Sequence, residues 1–321
     1  MLGRAVGAAA AAAGDVSAPL RPMRRRLARA DITVGNLENT LSRDGAPQQG
    51  GDSFGAPPDV LGGLADAGFD VLSLANNHTG DYGEPAMLRT LRRIDRSPVE
   101  RVGAGLTRDG AWRPVVVERN GVRFGFVAFN AIGETPRATA TSPGAAEIRM
   151  QPRTGPLYRP DLRKARREIR SLRRDGVDAV IVLPHWGAQY THTPVPAQRR
   201  VGRALVNAGA DVVVGGHPHW VQRVQRHRGT LIVHSLGNFV FDMDFMRQTQ
   251  EGVVADLRFV GDDLRSVRFT PYVIGSDFAP RVVRGPRART ILAPLGVPAT
   301  VRLSGSSRPT SPGRPGRSGR G

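Results

Sequence analysis

Five of the seven histidines in this chain lie in short polar motifs, and each motif follows a run of apolar residues. The motifs are Gly35-Asn36-Leu37-Glu38, Asn76-Asn77-His78, His185-Trp186-Gly187, Gly216-His217-Pro218-His219 and His234-Ser235-Leu236-Gly237-Asn238-Phe239. Short apolar runs are typical of buried strands, and rigid sheets present catalytic groups on the loops that follow their strands. Imidazoles, amides and carboxylates are donors for divalent metal ions. The pattern therefore predicts a metal site at the ends of several strands.

His217 and His219 give the strongest metal-binding signal. They flank Pro218 directly after a valine-rich run and two glycines, so a tight turn can aim both imidazoles at one point. His185 supplies a further nitrogen donor, and Glu38 supplies a carboxylate suited to a hard divalent ion. These residue types in this order are typical of a metal centre.

The asparagines of the motifs have supporting or ligating roles in this interpretation. Asn77 supplies an amide oxygen, and Asn36 can orient Glu38 through a hydrogen bond. His78 serves either as a general acid or as a group that positions a substrate oxyanion. His192 and His227 lie outside the motifs and are interpreted as ordinary hydrogen-bonded histidines.

Mixed histidine, asparagine and carboxylate ligation suits Mn, Zn, Fe or Mg and does not select among them. Two such ions close together lower the pKa of a bridging water and stabilise an in-line displacement at a phosphorus or carbonyl centre. The motifs therefore predict two divalent metal ions and a hydrolytic reaction. Trp186, within the third motif, and Trp220, directly after the fourth, either line the pocket or pack in the core.

Other classes of site have no support in the sequence. The chain has no cysteine, which excludes disulfides, thiolate metal sites and cysteine nucleophiles. Gly103-Ala104-Gly105 is too short for a dinucleotide fingerprint, and there is no phosphate-binding loop. Ser235 is not in the strand-to-helix elbow of a serine hydrolase.

Apolar runs alternate with helical patterns along the chain, which favours an α/β domain. The predicted strands are 32–35, 71–75, 177–184, 211–215 and 231–235, and the predicted helices are 84–96, 161–174 and 197–208. Asn120-Gly121 predicts a tight hairpin between 115–118 and 123–128. A second hairpin, 253–259 with 264–272, is expected to close a sheet edge, and the proline-rich stretch 136–160 is expected to be a surface loop near the mouth of the site.

Charge is concentrated towards the end of the chain. The formal net charge is +18, and nine arginines with no acid lie between Arg281 and Gly321. The serine, proline, glycine and arginine composition there predicts disorder. The expected organisation is therefore a domain over 1–280 and a largely disordered tail over 281–321. No run approaches the ~18 apolar residues of a membrane helix, and the alanine-rich segment 4–14 is only weakly similar to a signal peptide.

In this order, the motifs resemble the bacterial capsule-synthesis CapA family, whose members are linked to poly-γ-glutamate capsules. The matching residues are Gly35-Asn36-Leu37-Glu38, Ala75-Asn76-Asn77-His78 with Asp81-Tyr82-Gly83, His185-Trp186-Gly187, Gly216-His217-Pro218-His219 and Ser235-Leu236-Gly237-Asn238-Phe239. The resemblance implies a calcineurin-like metallophosphoesterase fold, a four-layer αββα sandwich. It also implies Glu38, Asn77, His185, His217 and His219 as metal ligands, with His78 as the acid. Asn36, Asn76, His234 and Asn238 are assigned to the surroundings of the ligands or to substrate binding.

The chain departs from the family pattern at its start. Family members begin with a strand running into Gly-Asp-x-Met-Leu-Gly-Arg, whose aspartate is similar to a first metal ligand. Met1-Leu2-Gly3-Arg4 matches only the second half of that motif. We therefore expect the first strand and its aspartate to be missing here, together with any export signal, although the family suggests a cell-envelope location. Asp15 follows an alanine run rather than a strand and is not interpreted as the missing ligand.

Two functional hypotheses follow. The first is a two-metal hydrolase that acts on a phosphoester or related bond and assists the assembly or turnover of an anionic envelope polymer. The alternative is a non-catalytic module of the cell envelope that binds a polyanion through basic residues. Specific nucleic-acid binding is disfavoured, because aromatic residues are only 6% of the chain and no stacking motif accompanies the arginines.

Overall fold

The computed structural model describes residues 1–42 and 44–304. The helices are α1 Arg4–Ala12, α2 Arg21–Leu27, α3 Val60–Asp66, α4 Gly83–Ile94, α5 Arg108–Trp112, α6 Arg159–Arg174, α7 Pro196–Val206 and α8 Gly285–Leu292. The strands are β1 Val34–Asn36, β2 Val71–Ser73, β3 Glu100–Val102, β4 Ala104–Gly105, β5 Val115–Arg119, β6 Val122–Asn130, β7 Gly144–Ala145, β8 Ala179–His185, β9 Val212–Val214, β10 Val224–His227, β11 Thr230–Val233, β12 Glu251–Val260, β13 Asp263–Ile274, β14 Pro280–Val282 and β15 Thr300–Arg302.

The strands form a small parallel sheet, a larger mixed sheet and an antiparallel sheet. The three-stranded parallel sheet has the order β1-β2-β3, and the six-stranded sheet has the order β10-β11-β9-β8-β6-β5. Within the larger sheet, β11, β9, β8 and β6 run parallel, while β10 and β5 are antiparallel at its two edges. In the third sheet β13 pairs with β12, β14 and β15, and β4 pairs separately with β7. Parallel strands therefore end together in both sheets that carry the polar motifs.

Alternating residues along the strands face different cores, which produces four layers. Leu72 belongs to the core shared with the helices α1–α4, whereas its neighbour Val71 faces the core between the sheets. Val213 packs with α6 and α7, whereas Val212 faces the same inter-sheet core. This period of two is the ordinary geometry of a strand. The order helix, sheet, sheet, helix confirms the predicted four-layer αββα arrangement.

The predicted central elements are confirmed within a few residues at their ends. Each of the predicted strands and helices overlaps an element of the same type. The first hairpin turns at Asn120 and Gly121, with φ values of 52° and 75°. Positive φ at both central residues is what a type I′ turn requires.

The predicted tail is partly wrong. Residues 281–304 include α8 and β15, and Ile291, Leu295 and Val301 are buried in the core between the sheets. The average composition of the tail conceals these few well-spaced apolar residues, which is why composition predicted disorder too early. The part of that prediction that concerns 305–321 lies outside the described residues.

Two loop predictions also change. The second hairpin, formed by β12 and β13, does not close an edge of another sheet but belongs to a separate antiparallel sheet, in which β13 is central and β12 lies at the edge. The proline-rich stretch 136–160 is not a surface loop throughout, because Ile148 and Met150 within it are fully buried. Its turn at Arg153 nevertheless lies beside the polar motifs, as described below. No helix in the described ranges is long and apolar enough to cross a membrane.

Candidate metal centre

The predicted ligands lie at the carboxyl ends of parallel strands from both sheets. Glu38 follows β1, Asn77 follows β2, His185 is the last residue of β8, and His217 and His219 follow β9. All five side chains are buried. Because the two sheets pack face to face with these strand ends at one edge, residues far apart in sequence form a single cluster.

Distances within the cluster are short. The Nε2 atom of His185 lies 3.6 Å from Glu38 Oε1, and the Nε2 atom of His78 lies 4.0 Å from the same oxygen. The ring centroids of His185 and His217 are 5.0 Å apart, and those of His217 and His219 are 5.7 Å apart. The structure therefore brings together the predicted ligands and the predicted acid.

Asn77 lies at the centre of the hydrogen-bond network. Its Oδ1 atom is 2.8 Å from His185 Nε2, and its Nδ2 atom is 2.9 Å from His78 Nε2. Nδ2 also donates to Glu134 Oε2 at 2.7 Å. Both ends of the Asn77 amide are thereby engaged.

His78 is held on its other side by Asp81, with 2.8 Å between Nδ1 and Oδ2. A carboxylate at Nδ1 favours the tautomer with a proton there, which leaves Nε2 to face Asn77. Asp81 Oδ2 also accepts the backbone N–H of Phe54, whose ring stacks on His78 with a centroid separation of 3.8 Å. Burial is the main cause of a raised pKa of Asp81, and the contact with His78 opposes it. The imidazole is therefore fixed in both position and orientation.

His217 is the unusual member of the cluster. Within residues 1–42 and 44–304, neither its Nδ1 nor its Nε2 has a hydrogen-bond partner, although both atoms are buried. Glu38 Oε1 is likewise buried without a hydrogen-bond donor. Burial lowers the pKa of His217 well below its usual value and that of His185 to about 4, so both rings are neutral at neutral pH. A buried polar atom without a partner costs about 1–3 kcal/mol, and a neutral imidazole is the form that ligates metals.

In the part of the chain that the structure describes, no group of three or more histidine, aspartate or glutamate side chains forms a ready-made ion site. Asn77 instead bonds directly to His185 and His78. The donor types still fit a divalent ion, because two imidazole nitrogens and a carboxylate oxygen in the cluster have no other partner.

Three predicted supporting asparagines contact the cluster. Asn36 donates to Glu38 Oε2 at 2.9 Å, and Asn76 donates to Asn36 Oδ1 at 3.0 Å. The Oδ1 atom of Asn238 lies 2.8 Å from His219 Nδ1. These contacts fix the ring and carboxylate orientations in the way that hydrogen bonds outside a ligand set usually do.

His234 does not join the cluster. Its ring packs against Trp186 with 5.6 Å between centroids, and its Nε2 atom lies 3.3 Å from Gln225 Oε1. Trp186 is fully buried in the core beneath α7, so it packs rather than lining the site. The supporting role predicted for His234 is therefore wrong, because its side chain points to the helix side of the sheet and away from the cluster.

Unfolding should depend on pH through His234. Burial, with a smaller contribution from Arg199, lowers its pKa to about 3, whereas an unfolded histidine titrates near 6.5. The unfolded state therefore binds the extra proton as pH falls below about 6.5, and the free energy of unfolding drops by up to ~1.4 kcal/mol per pH unit. Urea unfolding at pH 7.5, 6.5, 5.5 and 5.0 measures this dependence. As the pH falls, the free energy of unfolding of His234→Leu should decrease less than that of the parent. Parallel pH dependence of the two proteins would contradict this assignment.

The remaining sequence assignments are mostly ordinary contacts. His192 Nδ1 lies 2.7 Å from the carbonyl oxygen of Val221, and His227 Nε2 lies 2.9 Å from Asn207 Oδ1. Trp220 packs on the ring of His192 with 4.9 Å between centroids.

Three side chains beside the cluster were not singled out from the sequence. Asp81 was noted only as part of a motif, although its position three residues after His78 could have indicated the pairing. Glu134 and Arg153 form an ion pair at 2.6 Å next to Asn77, and they come from loops with no motif of their own. Only the three-dimensional fold brings this pair to the site.

Several residues around the cluster have left-handed backbone conformations. The φ values are 95° for His217, 60° for His219, 59° for Tyr190 and 66° for Glu134. Such conformations are uncommon outside glycine and concentrate at functional sites. Tyr190 stacks on His219 and meets Phe245, whose side chain is exposed, so an aromatic wall borders this side of the cluster.

Comparison with known proteins identifies a family match over most of the chain. Residues 1–243 match the family model described as bacterial capsule synthesis protein PGA_cap. A capsule biosynthesis protein CapA of Bacillus anthracis is 32% identical over 234 residues, which cover 71% of this chain and 54% of the relative. The PGA biosynthesis protein CapA of Bacillus subtilis is 31% identical over 228 residues, which cover 70% of this chain and 57% of the relative. The chain thus spans about half the length of these relatives.

Solved structures show weaker similarity. A crystal structure of a hypothetical protein from Thermus thermophilus aligns with 84% of this chain and 89% of its own, at 19% sequence identity and a TM-score of 0.42.

Proposed function

The chain belongs to the PGA_cap family of bacterial capsule synthesis proteins, and from this premise we propose that it is a two-metal hydrolase. The bond it cleaves is a phosphoester or a related bond in the assembly or turnover of an anionic envelope polymer. The names of the Bacillus relatives, which refer to capsule and PGA biosynthesis, support the polymer assignment. The chemistry is argued from the cluster itself.

One observation carries the proposal. His217 and Glu38 present buried ligand atoms without hydrogen-bond partners in the described structure, beside three further buried histidines, His78, His185 and His219. Burying such atoms without a partner costs free energy, and divalent ions are the partners that match a neutral imidazole and a carboxylate. Glu38, Asn77, His185, His217 and His219 would hold the ions. When bound, two ions supply an activated water and stabilise negative charge on the reacting oxygens.

His78 has the geometry of the proton donor. Asp81 binds its Nδ1 atom, and Phe54 packs on its ring, so only Nε2 is directed into the cluster. In the proposed reaction a protonated His78 donates from Nε2 to the leaving oxygen, while Asp81 stabilises the charged ring. The buried walls exclude bulk water from this transfer.

Metal removal tests the proposal directly. The purified chain should bind Mn²⁺ or Zn²⁺ in equilibrium dialysis and should hydrolyse bis(p-nitrophenyl) phosphate only with the ion present. A chelator should abolish turnover, and re-addition of the ion should restore it. Turnover unaffected by exhaustive chelation would exclude the mechanism.

A second candidate function is supported by a separate cleft. This cleft, with a volume of about 400 Å³, is lined by Arg108, Arg137, Lys164 and Arg167 together with Trp112 and Tyr158. Asp161 binds Arg137 at 2.6 Å and Asp109 binds Lys164 at 3.3 Å, so these pairs neutralise each other and Arg108 and Arg167 leave the lining with a net positive charge. The cleft could hold the carboxylates of a polyanion without any catalysis. Salt-sensitive binding of poly-γ-glutamate that survives chelation, in a chain that shows no metal-dependent turnover, would favour this function.

A further inference from the structure

We propose that Glu134 is a positioning residue that sets the orientation of the Asn77 amide, so that its oxygen rather than its nitrogen faces His185. This inference rests on the proposed function, in which Asn77 is a metal ligand. It adds a residue that neither the motifs nor the family match indicates.

The orientation of Asn77 decides whether it can act as a ligand. An amide has an oxygen that accepts and a nitrogen that only donates, and metals bind the oxygen. Nδ2 of Asn77 donates to Glu134 Oε2 at 2.7 Å, and Oδ1 lies 2.8 Å from His185 Nε2. A flipped amide would point its oxygen at the carboxylate of Glu134, and the two acceptors would repel each other.

Glu134 gives the clearest orientation signal among the neighbours of Asn77. The ring nitrogens of His78 and His185 can donate or accept according to tautomer, whereas an ionised carboxylate only accepts. Among these neighbours, the Glu134 carboxylate therefore determines the orientation of the Asn77 amide most firmly.

Glu134 is itself held in place on both sides. Its Oε1 atom binds Arg153 Nη2 at 2.6 Å, which leaves Oε2 for Asn77. The loop that carries it is tied to the Asn77 loop, because Gly80 donates its backbone N–H to Thr135 Oγ1 at 3.1 Å. Asn130 Nδ2 also donates to the carbonyl oxygen of Gly133 at 2.8 Å. The Glu134 loop is therefore hydrogen-bonded both to the Asn77 loop and to the end of β6.

The backbone of Glu134 supports the same conclusion. Its φ of 66° is in the left-handed region, which is unfavourable for any residue that has a Cβ atom. Glycine would adopt this conformation without that cost but could not reach Asn77. The fold therefore accepts a strained residue where a carboxylate contacts the cluster.

Metal affinity is the primary test. Isothermal titration of Mn²⁺ into the metal-free protein should show affinity reduced about 10- to 100-fold in Glu134→Gln, the range typical of hydrogen-bond partners of metal ligands. A glutamine can offer its oxygen to Asn77 or to solvent, but its nitrogen then opposes Arg153. Arg153→Gln provides a second variant, for which we expect a smaller loss. Glu168→Gln, which removes one of two carboxylate partners of Lys164 outside the cluster, should match the parent.

A second experiment reverses the direction of the hydrogen bond between residues 77 and 134. It distinguishes a positioning role of Glu134 from a general structural role. In an Asn77→Asp background, the new carboxylate and that of Glu134 would repel each other, and Glu134→Gln would supply an N–H donor instead. The Glu134→Gln change should therefore weaken Mn²⁺ binding in the parent but strengthen it in the Asn77→Asp background. A structural defect would weaken binding in both.

The outcomes distinguish this inference from the proposed function. If the parent binds Mn²⁺ and Glu134→Gln binds it within twofold, or if the sign does not reverse, the role of Glu134 is overturned and the metal centre remains. If the parent itself binds no Mn²⁺ or Zn²⁺, the metal centre and this inference both fail. Melting temperatures of the metal-free proteins should be the same for parent and Glu134→Gln.

Discussion

Replacing His217 with alanine is expected to abolish ion binding at the cluster and to lower metal-dependent phosphodiester hydrolysis by at least about 1,000-fold, roughly 4 kcal/mol of transition-state stabilisation. The side chain lies between His185 and His219 and has two buried ring nitrogens without hydrogen-bond partners in the described structure. In the proposed site these atoms have no role other than ligation. The measurements are bound metal by dialysis and initial rates at saturating ion.

The fold should survive this substitution. His217 makes no side-chain hydrogen bond within the described residues, so the metal-free variant loses packing but no polar interaction. His227→Ala is the matched control, because His227 lies outside the cluster and its ring bonds to Asn207. This control should keep parental activity and metal content. A folded His217→Ala protein with parental turnover would disprove the two-metal mechanism.

His78→Ala should have the second-largest effect and should affect a different step. Loss of a general acid typically costs about 100- to 10,000-fold in kcat, and the cost depends on how much the leaving group needs a proton. We therefore expect a large loss of kcat for an alkyl phosphodiester and a small loss for a p-nitrophenyl diester, whose leaving group departs unprotonated. Bound metal should stay close to the parental value.

Asp81→Asn provides the companion measurement for His78. The asparagine keeps the size of the side chain but removes the charge that stabilises a protonated ring, so it should reproduce the leaving-group dependence in weaker form. Equal losses with both leaving groups in His78→Ala would instead assign His78 to substrate positioning. That result would favour the second role that the sequence left open for this residue.

Much of the candidate site could be predicted because strand direction and residue type are local properties. A run such as 211–215 predicts a buried strand, and the histidines that follow it must lie at the strand end, where parallel neighbours also end. Counting alternation along β11 would also have placed His234 correctly. Leu231 and Val233 face the inter-sheet core, so Ile232 and His234 point to the helix side.

The remaining features depend on long-range packing that local patterns do not record. Glu134 contacts Asn77 across 57 positions of sequence, from a loop with no recognisable pattern. Helix α8 and strand β15 are ordered because Ile291 and Val301 are buried between the sheets, although the surrounding composition predicts disorder. In this segment, burial of a few apolar residues therefore outweighs the average composition.

The position of the cluster across two sheets also has consequences for folding. Asn77 follows a strand of the small parallel sheet and His185 ends a strand of the large sheet, 108 positions away, so their contact forms only after a long loop has closed. A folding intermediate with one sheet formed would have half a ligand set and little affinity for ions. Ions that bind only the assembled cluster would stabilise the docked sheets in proportion to the logarithm of ion concentration. In the proposed enzyme, the ion supply would therefore also control how strongly the two halves of the fold hold together.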